Sequence, residues 1–241
     1  MAGTVTISCF DGDFAEADGD YATVAVDVLR ATTTAITALA GGLRCRPVRS
    51  LEEARALARR LSDPLLAGEL SGEQPDGFEA QNSPAAMASV AAGRSVILLS
   101  TSGTPLLCRA ADEGPAYAAC LRNVTAQADH LIDRHERVRL VGADSRGEFR
   151  EEDQLCCARI ALRLLDAGYR CETTLTEELV ERWATAPDDA FVGHRSSRYL
   201  LRTGQRRDVD FVLAHIDDLD DVYAMATGEL TRVTCPVSTL R

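Results

Sequence analysis

Carboxylates and guanidinium groups recur where this chain passes from short apolar runs into helix-capping sequence. In VDVLRATTT, Asp27 closes an apolar run, Arg30 follows, and Thr32, Thr33 and Thr34 surround a helix start. An Asp in such a run is costly to bury unless it meets a cation, a metal or a set of backbone donors. A structural Asp–Arg pair meets that requirement, and so does an anion cradle beside a carboxylate. The loop GELSGEQPDGFEAQNSP carries Glu69, Glu73, Asp76 and Glu79 ahead of Asn82, Ser83 and Pro84. Glu69 stands at a strand end and suits a hard cation, whereas the other three acids read as solvated loop charge. After SVILLS, the turn Thr101-Ser102-Gly103-Thr104-Pro105 allows tight backbone turning, and its helix start presents N–H groups to a phosphate or carboxylate. A plain strand-to-helix turn has the same sequence. Arg122, before Asn123, is either a bidentate oxyanion clamp or a surface arginine. Glu151, Glu152 and Asp153 open a further helix, where acids also complement the helix dipole.

Composition narrows the chemistry. All 26 basic residues are arginine, so Schiff bases and the P-loop lysine are excluded. The 37 acids leave a net charge of -11, and no basic patch offsets it, which excludes nucleic acid and anionic membranes as partners. No apolar run approaches a membrane span, and acids stand where a signal peptide would carry bases, so a soluble, cytoplasmic protein is expected. Eight cysteines without a CxxC spacing read as reduced and mostly buried thiols. Adjacent Cys156 and Cys157 read as helix core rather than nucleophiles, and the four histidines as surface or satisfied side chains.

The elements that must hold these groups alternate. Seven β-branched runs, at 4–10, 22–28, 44–49, 65–69, 95–100, 116–121 and 137–143, are separated by segments of helical period. That is a βαβ succession, and it predicts an α/β fold with a mostly parallel central sheet in one domain over residues 1–241. Ser50 with Glu53 makes a capping box, Ser83 precedes a Pro at a first helical position, and EEDQLCCARIALRLLDAGY reads as one long helix ending near Gly168. Beyond it the pattern gives more helix and one late strand around VDFVLA. In such folds ligands collect beyond the carboxyl ends of the strands, where all the groups above lie.

In order along the chain these segments resemble the 2-phosphosulfolactate phosphatase family, magnesium-dependent acid phosphatases of coenzyme M biosynthesis. VDVLRATTT is similar to the family's opening signature. LLAGELSG and GFEAQNSP stand at its GE-x-x-G and GF-D-x-GNSP positions, TSGT near its T-N-G-T turn, and LRN and GEFREED at the later pair. SSRYLLRTGQRRDVDFVLA loosely resembles its closing segment. Inside the motifs Glu79 replaces an Asp, Gln81 a Gly and Ser102 an Asn, and Gly142-Ala143-Asp144 departs from the pattern after the seventh strand.

The resemblance implies a three-layer α/β/α sandwich with a Mg²⁺ site at its strand ends. It implies hydrolysis of the phosphomonoester of a small anionic 2-hydroxy acid. On this reading Asp27 and Glu69, with Glu152 or Asp153, hold Mg²⁺ directly or through water. Arg30 and Arg122, with the helix starts after Thr32 and Thr101, bind the anionic groups, and one remaining carboxylate orients the attacking water. Thr33, Asn82, Ser83, Ser102, Gly103, Thr104 and Asn123 complete the expected substrate-binding set. A Mg²⁺-dependent lyase or hydrolase on another oxyacid, a non-catalytic anion-binding homologue, and assembly as a homo-oligomer remain open at this point.

Overall fold

The computed structural model describes residues 3–9, 20–144 and 147–233. Expected strand residue Phe10 and the eighth cysteine, Cys235, lie outside the described residues. The first half of the chain runs β1 (Thr4–Cys9), β2 (Ala22–Val26), α1 (Ala31–Ala40), β3 (Arg44–Val48), α2 (Leu51–Ala58), β4 (Leu65–Gly68), α3 (Pro84–Met87), β5 (Ser95–Leu99) and α4 (Gly103–Glu113). The second half runs β6 (Ala116–Ala119), α5 (Val124–Leu131), β7 (Arg137–Gly142), α6 (Glu151–Asp166), β8 (Arg170–Cys171), α7 (Thr174–Trp183), α8 (Arg195–Arg202), α9 (Arg206–Ala214), β9 (Tyr223–Ala226) and β10 (Glu229–Arg232). Among the described residues no helix is long and apolar enough to cross a membrane.

The strands form one large sheet in the order β4-β5-β3-β10-β9-β6-β2-β7-β1-β8. β1 pairs in parallel with β7 and β8, β2 with β6 and β7, and β5 with β3 and β4. The three antiparallel pairings all involve the β9–β10 hairpin, which sits between β3 and β6. The α/β class and the mostly parallel sheet are therefore as the alternating pattern implies. β2 is buried at every residue, as a parallel strand covered on both faces must be. Val24 and Val26 face a core shared with Leu155 and Ile160 of α6, whereas Ala25 faces a second core with Ile36 of α1 and Leu106 of α4.

That second core explains a long-range closure. Leu98 of β5 and Val96 beside it share one cluster with Ala118 of β6 and Val141 of β7, from the other side of the hairpin. Strands far apart in the sheet order thus pack against the same two helices, α1 and α4. The carboxyl ends of β4 and β5 are brought toward that of β2. The contact is close: a Cβ on Gly103, first residue of α4, would overlap Asp27 Oδ2 and lie 2.7 Å from Ala31 Cβ. Only glycine lets the start of α4 approach there.

The two helix-capping signals hold. The Ser50 hydroxyl accepts from the Glu53 N–H at 3.1 Å, and the Ser83 hydroxyl from Ala86 N–H at 3.1 Å, so both helix starts are capped as expected. α1 would be a poor helix by propensity, with three successive threonines, but it is buried and their hydroxyls donate back to carbonyls of Asp27, Val28 and Arg30. The expected late strand around VDFVLA is helix α9. Asp208, Val209 and Val212 are its buried positions, a helical spacing that a short apolar run conceals. The late strands are β9 and β10 instead, joined by Thr227 and Gly228 at φ 50° and 75°, a two-residue hairpin loop. Gly103→Ala is expected to lower stability by about 1–3 kcal/mol through overpacking; a urea unfolding midpoint equal to that of the unaltered chain would show that the close approach is not required.

Candidate active site

A cavity of about 490 Å³ opens beyond the carboxyl ends of β2, β4, β5 and β7. From the predicted set, Asp27, Arg30, Glu69, Asn82, Thr101, Ser102, Glu152 and Asp153 all line it. Residues separated by more than a hundred positions therefore share one hollow at one rim of the sheet.

Its acidic side is buried. Asp27 follows β2 and accepts backbone N–H bonds from Ala31 and Arg30, at the start of α1. Asp153 and Glu152 belong to the first turn of α6, and Asp153 Oδ1 accepts the Val28 N–H at 2.8 Å. Desolvation, the repulsion of Glu69 and the incomplete compensation by Arg30 push the Asp27 carboxyl up to about 6. Burial pushes Glu152 up to about 7, aided by repulsion from Glu151 and Asp27 and opposed by a Ser196 hydrogen bond. Asp153 is raised well above the usual carboxylate range by burial, then by Glu152 and Asp27. Glu152 Oε2 and Asp144 Oδ1, both buried, have no hydrogen-bond partner. Such a group of carboxyls is stable only with protons, a cation, or both.

Arg30 faces them from a fixed position. Its side chain is 4% exposed, and Nη1 lies 2.7 Å from Asp208 Oδ2 of α9 and also donates to Gln205. Asp208 Oδ1 in turn accepts from the Ser83 hydroxyl and, at 3.4 Å, from Ala85 N–H. Ser83 thus reaches the site through Asp208 and is not among the lining residues. Glu69 joins two loops: Oε1 accepts Thr101 N–H at 2.8 Å, and Oε2 accepts Gly72 N–H at 2.7 Å and the Thr101 hydroxyl at 2.9 Å.

Several expected binding residues serve the scaffold. Thr32 and Thr33 turn back to the backbone of Asp27 and Val28, and Thr104 braces Ser100 with Oγ1 2.8 Å from its N–H. Gly103 gives the close approach to Asp27. Arg122 and Asn123 do not line the cavity. Arg122 Nε and Nη2 engage Asp218 at 2.9 and 2.7 Å and Nη1 donates to Thr37 at 2.9 Å, so the guanidinium is committed to protein partners. Asn123 Oδ1 accepts the Cys120 N–H and Nδ2 donates to the Asp221 carbonyl. Cys156 and Cys157 are buried, and burial drives both thiols well up, away from nucleophilic thiolate.

Sequence reading did not single out Asp144, Arg150, Arg195, Ser196 and Tyr199, which also line the cavity, or Asp208, which holds Arg30. Four of these, Arg195, Ser196, Tyr199 and Asp208, belong to α8 and α9, and all but Arg195 fall in the segment of loosest resemblance. A buried Asp at helical spacing with two valines was the available signal for Asp208. With no lysine in the chain, the basic side chains among the lining residues are all arginines.

Among known proteins, a model of the 2-phosphosulpholactate phosphatase family matches residues 13–227. The chain is 40% identical over 144 residues to the probable 2-phosphosulfolactate phosphatase of Pseudothermotoga lettingae, an alignment spanning 59% of this chain and 62% of that protein. It is 32% identical over 201 residues to the protein of that name from Carboxydothermus hydrogenoformans, covering 80% of this chain and 81% of the relative. Against the one from Synechococcus sp. (strain WH7803) it is 33% identical over 214 residues, covering 85% and 87%. Matched through both the β2–α1 and the α6 segments that build the cavity, the chain belongs to the 2-phosphosulpholactate phosphatase family.

Proposed function

We propose that this protein is a phosphoric monoester hydrolase that acts on a small, phosphorylated, anionic 2-hydroxy acid such as 2-phosphosulfolactate, with Mg²⁺ as its cofactor. The observation that carries the reading is the opposition, across one cavity, of three buried carboxyls and a fixed arginine. A phosphomonoester reacts through a transition state whose charge lies on peripheral oxygens, so the protein must chiefly place and neutralise that charge.

The residues fit a magnesium ion in a specific sense. Among the described residues no group of three His, Cys, Asp or Glu forms a ready-made cage. Mg²⁺ asks for less, because it commonly takes one or two carboxylates, keeps several waters and completes its shell with substrate phosphate. Asp27 and Asp153 would hold it, since both are buried and the charge of Asp27 adds to what keeps the Asp153 carboxyl raised. When bound, the ion polarises the phosphoryl group and lowers the charge among the acids.

The chain's own groups supply the rest. Arg30 donates to phosphoryl oxygens from a guanidinium already fixed by Asp208 and Gln205. Glu152 Oε2, without a hydrogen-bond partner, orients the attacking water and takes its proton, with a carboxyl poised at about 7. Glu69 holds the Gly72 and Thr101 loops in place and adds to the field that raises Asp27. Ser102 and Asn82 complete the polar wall.

Phosphate release from a panel of phosphorylated 2-hydroxy acids, with and without Mg²⁺, tests the activity. Arg30→Ala and Asp27→Asn are each expected to cost about 10²- to 10³-fold in turnover; full turnover in either folded variant would remove that residue's role. Metal-dependent conversion of an unphosphorylated oxyacid, with no phosphate release, would select a lyase instead.

The raised acids give a second test. Asp27, Glu152 and Asp153 keep their protons to higher pH in the folded chain than in the unfolded one, so folding takes up protons. Their contribution to stability is full at low pH and is lost as pH rises through about 6 and 7. Without divalent cations the thermal midpoint is expected to be depressed by this cluster at pH 8 relative to pH 5. Mg²⁺ is expected to raise it more at pH 8, where the ligands are ionised. Equal midpoints with and without Mg²⁺ at both pH values would exclude the ion from this site.

A further inference from the structure

One wall of the cavity is α8, which turns Arg195, Ser196, Tyr199, Leu200 and Arg202 toward it, a spacing that keeps them on one broad helical face. Its start docks on the start of α6: His194 Nδ1 lies 3.1 Å from Glu151, and the Ser196 side chain hydrogen-bonds Glu152. In its middle, the Tyr199 hydroxyl fills the space where a Cβ on Gly72 would stand. Its far end is tied to Arg30. Gln205 accepts from Arg30 Nη1 at 2.5 Å and donates to the Thr203 hydroxyl at 2.7 Å, which in turn donates to the Tyr199 carbonyl at 2.9 Å. Arg202 thus stands on the last turn of α8, about 10 Å along the helix from Arg195 and beside the segment that holds Arg30.

Four arginines line the cavity. Arg30 is paired with Asp208, and Arg150 and Arg195 with Glu148. Arg202 is exposed and meets no acid or hydrogen-bond acceptor among the described residues. Its charge is therefore not offset by a neighbouring carboxylate, in a cavity that five acids also line. A substrate that bears a second acid group beyond its phosphoryl group brings a further negative charge, which those acids repel unless a cation meets it. A guanidinium suits the task, because its planar fork takes the oxygens of a carboxylate or sulfonate on two N–H donors. Resting on the phosphatase reading of the cavity, we propose that Arg202 is a specificity-determining residue: it binds the second acid group of the phosphorylated substrate while Arg30 holds the phosphoryl group. Such substrates are thereby selected over phosphomonoesters with no further charge. Solvent at the exposed fork weakens the contact without abolishing it.

Steady-state phosphate release with Mg²⁺ from the unaltered protein, Arg202→Gln and Arg207→Gln tests this, Arg207 being an exposed arginine of α9 outside the lining residues. Arg202→Gln removes no hydrogen bond among the described residues, so the fold is retained. It is expected to raise KM for 2-phosphosulfolactate, and Ki for the product sulfolactate, about five- to tenfold. The kcat and the Ki of inorganic phosphate are expected to change less than about twofold, because other residues hold the phosphoryl group. Arg207→Gln removes the same charge and is expected to move none of these by more than about twofold. With 2-phospholactate, which lacks the sulfonate, the same rise in KM assigns Arg202 to the carboxylate, and no rise assigns it to the sulfonate. An unchanged sulfolactate Ki in Arg202→Gln, an equal rise in both Ki values, or the same losses in Arg207→Gln would each overturn the assignment. Absence of turnover in the unaltered protein would overturn the phosphatase reading and this inference with it, whereas turnover with an unchanged sulfolactate Ki overturns this inference alone.

Discussion

Three carboxyl groups, Asp27, Glu152 and Asp153, are buried within one another's field, and the surroundings of the cavity are arranged around that repulsion. In a low-dielectric interior such groups cannot all ionise unless donors and cations are supplied. Backbone N–H groups of Val28, Arg30 and Ala31 supply part of the compensation. Arg30 supplies more, but a buried guanidinium needs its own counter-ion, and Asp208 provides it. Asp208 then takes the Ser83 hydroxyl as a further donor. Each buried charge thus recruits the next, from β2 through α1 to α9 and α3. The excess of acid at the centre is the basis on which we propose that a divalent cation enters there together with a phosphoryl group.

The fold makes this possible by packing two parts of the sheet on shared helices. In sheet order β4 and β5 are distant from β2, yet Glu69 and Thr101 share a hollow with Asp27. Helices α1 and α4 pack on strands from both sides of the β9–β10 hairpin, which lies between the two parallel parts of the sheet, and many side chains in that core are small. Ala25, Ala118 and Ala35 are among them. Gly103 completes the approach at the rim.

Much of the site was legible in the sequence because its residues lie at strand ends, where a change from apolar run to polar turn is visible. Asp27, Glu69, Thr101 and the Glu152–Asp153 pair were found in that way, and their segments carried the family resemblance. Arg122 has the same kind of position but is not among the lining residues, and a sequence does not show that Asp218 and Thr37 engage its guanidinium. Thr32, Thr33 and Asn123 were polar at the right place but satisfy local backbone groups. The wall formed by α8 was not legible, because its residues reach the cavity through tertiary docking alone. The α9 segment was read as strand since a short apolar run has no decisive period, and β9 and β10 are too short to stand out.

The pairing of Arg30 with Asp208 joins positions 178 residues apart. A contact of that span forms late, since the loop it closes includes most of the chain. During synthesis β2 and α1 are complete long before α9 exists, so the arginine and its neighbouring acids must wait, hydrated, for the last helices to dock. Assembly of the candidate site is therefore tied to completion of the polypeptide: a chain shortened before Asp208 retains most strands of the sheet while leaving the Arg30 guanidinium without the anion that orients it.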